Sequence, residues 1–160
     1  MADFAEEILK RAMGEEVVPR KQQQNPADHW TQAVLLERAA YLRKMAKLSN
    51  GAASETLRSY PQHTAMLLFR SRSGEARVHE KFAHHFYVLA GAGTLAIGGT
   101  VTGARTVAPG EVHGDAIEGG EQQDLRAGDM IHVPAGVPHQ FLLAGDKTIA
   151  CFVLRVQEVS

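Results

Sequence analysis

Up to about residue 50 the apolar positions recur at helical intervals; from residue 60 they break into short runs between turn residues. Phe4, Ile8, Leu9 and Ala12 share one helical stripe behind Asp3-x-x-Glu6, the spacing of a capping box, and the stripe stops at Gly14. Residues 15–27, with Pro19, Gln22-Gln23-Gln24-Asn25 and Pro26, have no periodicity and are expected to be a linker. Asp28 is placed to cap a second helix, in which Trp30, Val34, Tyr41, Met45 and Leu48 recur three, four or seven residues apart and Asn50-Gly51 forms the stop. Beyond it, Met66–Arg70, Ala76–His79, His85–Ala90, Thr94–Ile97, Met130–Val133, His139–Leu143 and Thr148–Val156 are predicted strands. Fourteen of the fifteen glycines lie between Gly51 and Gly145, where they punctuate these runs. The expected architecture is mainly β, a jelly roll or barrel over residues 53–160, preceded by an arm of two helices and a linker over residues 1–52.

Composition removes several function classes. The chain has 160 residues and a formal charge of −1, so no basic face is expected for nucleic acid or an anionic membrane surface. No apolar run approaches the roughly 20 residues that span a bilayer. The N-terminus is acidic and lacks the apolar stretch of a secretory signal. One cysteine, Cys151, cannot form an internal disulfide, which fits a reducing, cytoplasmic setting. There is no GxGxxG, P-loop or Gly-x-Ser-x-Gly, so nucleotide binding and serine hydrolysis have no motif support. Histidine stands out, at eight residues.

Two segments concentrate it: Val78-His79-Glu80-Lys81-Phe82-Ala83-His84-His85-Phe86-Tyr87-Val88-Leu89-Ala90-Gly91 and Gly128-Asp129-Met130-Ile131-His132-Val133-Pro134-Ala135-Gly136-Val137-Pro138-His139-Gln140-Phe141. In these segments the sequence resembles the cupin family. Gly128, Pro134, Gly136 and His139 match the second cupin motif at every spacing, with Leu143 where an Asn often follows. The first motif matches in part. His79 takes the place of its first His, Lys81 that of the second, and His84, seven residues before Gly91, that of its Glu. The resemblance covers roughly residues 60–156. It implies a cupin-type double-stranded β-helix with a metal or ligand site in the barrel mouth, usually in a homodimer.

Strand alternation puts His84, Phe86 and Val88 on one face, His85, Tyr87 and Leu89 on the other, and His139, Phe141 and Leu143 together. The candidate metal ligands are therefore His79, His84 and His139 around a divalent first-row ion (Fe, Mn, Ni or Zn), with Phe86, Val88, Phe141 and Leu143 as apolar walls. If His79 points inward, Lys81 should too, as a proton donor or base, and His132 is a candidate orienter or proton shuttle. His85 could replace His84 after a one-residue slip, and His63 could enter the mouth. The 36 residues between Gly91 and Gly128 could cover the mouth or extend the sheet.

Two function classes follow. One is a metal-dependent enzyme (oxygenase, isomerase, lyase or decarboxylase) acting on a small anionic or carbonyl-containing metabolite. The other is a non-catalytic cupin, either a small-molecule sensor or a metal-free structural or storage barrel. A DNA-binding regulator has neither the charge nor a recognition helix.

Overall fold

The computed structural model describes residues 27–158. The helix expected at residues 3–14 and most of the linker lie outside the described residues; one helix, α1 (Gln32–Lys47), lies within them. Thr31, not Asp28, caps it: Thr31 is extended and its hydroxyl oxygen accepts the Val34 N–H at 3.2 Å. The buried stripe is Leu35, Ala39, Leu42 and Ala46, whereas Tyr41, Met45 and Leu48 are exposed. The small side chains decide this face, because α1 lies flat against two strands, β1 (Ala52–Ser59) and β2 (His63–Arg70), and the alanines allow close approach. β2 thus has two covered faces. Ala65, Leu67 and Phe69 are fully buried on one, while Met66, Leu68 and Arg70 on the other line a cavity in the barrel.

The remaining strands are β3 (Ala76–His79), β4 (Phe82–Ile97), β5 (Thr100–Thr102), β6 (Arg105–Ala108), β7 (Glu111–Gly114), β8 (Ala116–Glu118), β9 (Glu121–Arg126), β10 (Met130–Val133), β11 (His139–Leu142) and β12 (Ile149–Gln157). All ladders are antiparallel, and the main path runs β1-β2-β12-β4-β11-β3-β7-β6, with β9 and β10 also on β4. The fold is the curled double sheet of a cupin-type jelly roll. The segment after Gly91 extends it: β7 pairs β3, β6 pairs β7 and β9 pairs β4, while β5 and β8 form a separate two-stranded ribbon.

Gly91 does not end a strand, as its residue type suggests. β4 runs through it for 16 residues, pairing β10 and β12 with its first half and β9 and β11 with its second. Gly91 sits at φ +80°, and a Cβ there would lie 1.9 Å from the Thr148 carbonyl oxygen. A register shift opposite Ala150 and Cys151 accompanies the bend. Around it closes a core of Phe86, Val88, Leu95, Leu125, Val133, Phe141, Ile149, Cys151 and Val153. Burial pushes the Cys151 thiol up to about 12, leaving it an inert packing group.

Gly91→Ala combines backbone strain with a collision against main chain, and is expected to destabilise the fold by about 2–4 kcal/mol. Gly136→Ala, also at positive φ (+79°) but with nothing within 4 Å of a new Cβ, should lose only about 1–2 kcal/mol. Urea unfolding of both variants checks the order; equal losses would refute the steric role of Gly91.

Candidate functional site

Three strands deliver three imidazoles to the same cavity. Arg77 and His79 share the inner face of β3, His84 and Phe86 that of β4, and His139 and Phe141 that of β11. The ring centroids stand 4.2 Å apart for His79 and His84, 5.3 Å for His79 and His139, and 5.8 Å for His84 and His139. Phe86 stacks on His84 at 5.8 Å and meets Phe141 edge-on at 5.1 Å, which holds the ring set from below with apolar atoms. The cavity they line measures about 240 Å³, and β2 and β12 complete it with Met66, Leu68, Arg70, Val153 and Arg155.

Burial keeps these imidazoles neutral. Desolvation, and then the neighbouring His79 and His139, pull His84 down to about 2. His139 falls to about 4, again chiefly by desolvation and then by His79, with the Val137 carbonyl opposing the drop only in part. His79 is lowered by burial against the opposing pull of Glu111. Its Nδ1 is bound to Glu111 Oε2, so the other ring nitrogen is left for a ligand. The second oxygen of Glu111 accepts from Arg155 Nη2 at 2.8 Å, and the Arg155 guanidinium lies 3.5 Å over the Phe82 ring.

Three buried nitrogens are left over. Arg70 Nε, Arg77 Nε and His139 Nδ1 have no hydrogen-bond partner among the described residues. The acid nearest in sequence, Glu75, is engaged by Arg105 and by His113 at 3.0 Å, and its pKa is lowered mainly by the Arg105 hydrogen bond. Burial also lowers the Arg70 pKa, with Arg77 as a like-charged neighbour. An unsatisfied buried polar group costs about 1–3 kcal/mol, more when charged, so three in one cavity mark a place shaped for something else.

The other expected site residues stand elsewhere. Glu80 and Lys81 form the turn between β3 and β4, so alternation does not carry inward from His79, and Lys81 is exposed. His85 and His132 are register partners whose rings stack at 4.4 Å; His132 is exposed, and neither lines the cavity. His63 stacks on Tyr60 at 4.7 Å and is also exposed. Val88 belongs to the core and Leu143 packs against that core; neither lines the cavity. Sequence reasoning did not single out Arg70, Arg77, Glu111 or Arg155. For Arg77 a signal existed, since it sits two residues before His79 on the same strand face.

The donor chemistry fits a divalent transition metal: three neutral imidazoles, one of them oriented by a carboxylate. Among the described residues, however, no group of three His, Cys, Asp or Glu side chains is already gathered tightly enough to hold an ion. Among those residues, too, no helix is long and apolar enough to cross a membrane.

The cupin domain family model matches residues 104–155, about a third of the chain, including the second motif and His139. Together with the barrel, this match supports placing the chain in the cupin family. No curated protein matches it in sequence. Among solved structures it is similar to TT1209 from Thermus thermophilus, with a TM-score of 0.54 and 17% identity over 76% of this chain and 93% of that one. It is also similar to an uncharacterized conserved protein with a double-stranded beta-helix domain from Klebsiella pneumoniae, with a TM-score of 0.55 and 13% identity over 82% and 90% of the two chains. A third, the polyketide cyclase RemF from Streptomyces resistomycificus, has a TM-score of 0.49 and 21% identity over 68% and 66%. The first two likenesses concern the fold.

His84 and His139 hold their protons far less readily in the fold than at the ordinary value of 6.5. Between pH 6.5 and about 4 the unfolded chain therefore binds more protons, and stability is lost as pH falls. For chelator-treated protein, urea unfolding should show a loss of several kcal/mol between pH 7 and pH 4, up to about 3 from each of the two imidazoles. His139→Asn should flatten that slope; an equally steep fall in the variant would remove His139 as its source.

Proposed function

We propose that the chain is a metal-binding cupin that takes a small anionic or carbonyl-containing metabolite in its barrel, with His79, His84 and His139 holding a divalent first-row transition metal. The observation that carries this reading is the meeting of three neutral imidazoles from three strands on one cavity, with His79 oriented by Glu111. When bound, such an ion supplies Lewis acidity to an oxygen of the ligand.

The chain's own groups do the rest. Glu111 fixes the His79 ring and holds Arg155 against the Phe82 face. Phe86, Phe141, Met66 and Val153 exclude water from the ligand's carbon skeleton. Arg70 and Arg77 give the cavity a positive field that favours an anion. Lys81 and His132, outside the cavity, take no part in this arrangement. A second reading, a metal-free barrel that binds its anion directly, is favoured by one observation: the three imidazoles do not already close on an ion.

Elemental analysis of the purified chain after supplementation with iron, manganese, nickel and zinc tests the first reading. Near-stoichiometric metal is expected, lost in each of His79→Ala, His84→Ala and His139→Ala, while Lys81→Ala retains it. Glu111→Gln should weaken metal affinity about 10–100-fold by releasing the His79 ring. A wild-type chain that stays metal-free overturns this reading in favour of the second.

A further inference from the structure

The charge of the cavity is more specific than its sign. Three guanidiniums line it, and they are not equivalent. Arg155 is matched by Glu111. Arg70 and Arg77 form no ion pair among the described residues: Glu75, which lines the same cavity and acts on Arg70 through its charge, is bound to Arg105 and His113, and the Nε of each arginine is buried without a hydrogen-bond partner among those residues. The two arise from different strands, yet both border the imidazole set. Arg77 is the direct register partner of His139, and Arg70 closes the end of β2, where its guanidinium packs on Gly74. A Cβ at Gly74 would lie 2.7–2.8 Å from that guanidinium, so the bare glycine makes the room it occupies. Gly74 is itself held by two bonds: its N–H donates to the Phe141 carbonyl at 3.0 Å, and its carbonyl accepts from Gln140 Nε2 at 2.9 Å.

We propose that Arg70 and Arg77 form a carboxylate-binding subsite, and that the ligand is a small carboxylic acid carrying a second oxygen function for the histidines: a hydroxy acid, an oxo acid or a dicarboxylate. A guanidinium presents paired N–H donors that match one carboxylate, and both guanidiniums line the cavity without an ion-pair partner among the described residues. Phosphate sites more often draw on backbone N–H groups of helix N-termini or glycine-rich loops. Arg70 and Arg77 instead project from strands whose backbone is occupied by ladder pairing. Size sets the other limit. A volume of about 240 Å³ is the share of about eight liquid waters, so the part of a ligand held inside it is the size of an acid of a few carbons.

The inference rests on the reading of this cavity as the ligand site, but not on the metal, so the test is run in EDTA. The full chain is titrated by calorimetry with lactate, pyruvate and malonate, and with lactamide, pyruvamide and malonamide as uncharged counterparts. At least one acid should bind, with its amide about tenfold weaker or worse. Arg70→Gln and Arg77→Gln should each weaken that acid about tenfold or more, and Arg126→Gln, an exposed guanidinium on β9, should not. The amide comparison uses the unaltered chain and decides the matter even if a variant misfolds. Acids that bind no better than amides, folded Arg70 and Arg77 variants that bind like the parent, or binding of inorganic phosphate or sulfate without any of the acids would each overturn the proposal. Metal loss with acid binding intact would instead count against the metal centre alone.

Discussion

The structure depends on β4 passing through the bend at Gly91 without losing its ladder. One continuous strand serves both sheets, and its neighbours on each side, β10 and β12, then β9 and β11, inherit their positions from it. The bend needs the Thr148 carbonyl to approach where any side chain would stand, so it is tied to a residue without a Cβ. Because the strand is unbroken, the alternation that buries Phe86 and Val88 also carries His84 inward and His85 outward. Slipping by one residue would bury His85 and Tyr87 and expose the core side chains, which is why this register is strongly determined.

Inside the barrel, one physical condition treats two kinds of cation differently. Imidazoles give up their protons when desolvated and become neutral donors. Guanidiniums keep theirs and must be matched, which Glu111 does for Arg155. The outcome is a cavity with neutral nitrogen donors and two neighbouring guanidiniums that have no ion-pair partner among the described residues, with Glu75 nearby but bound to Arg105 and His113. Surface net charge said nothing of this, since a chain at −1 overall encloses a positive interior. Glu111 links the two populations, binding His79 with one oxygen and Arg155 with the other.

Much of the fold was legible along the chain. The apolar runs of β2, β4, β10, β11 and β12 stand out because each buries one face, and the second-motif spacing marked His139. Six strands were missed: β5, β7 and β8 are only three or four residues long, and the others are polar, since β6 is exposed throughout, β9 buries only Leu125, and β1 reads AASETLRS. Their place in the sheet comes from ladder pairing, which leaves little trace in hydrophobicity. The helix was found but its face was misplaced, because large residues dominate a periodicity count while close packing on a sheet favours Ala39 and Ala46. Lys81 was read onto the face of His79 because a turn of two residues looks, in sequence, like a strand that continues.

What the sequence determined by itself is local: periodicity, turn glycines, and three histidines at spacings that a barrel brings together. Only the tertiary structure decided which charged groups share that interior. Arg70, Arg77, Glu111 and Arg155 come from four different strands, and no spacing within one strand relates them. Their neighbourhood follows from sheet curvature and register, and their burial, which makes one guanidinium matched and two unmatched, exists only once the barrel has closed.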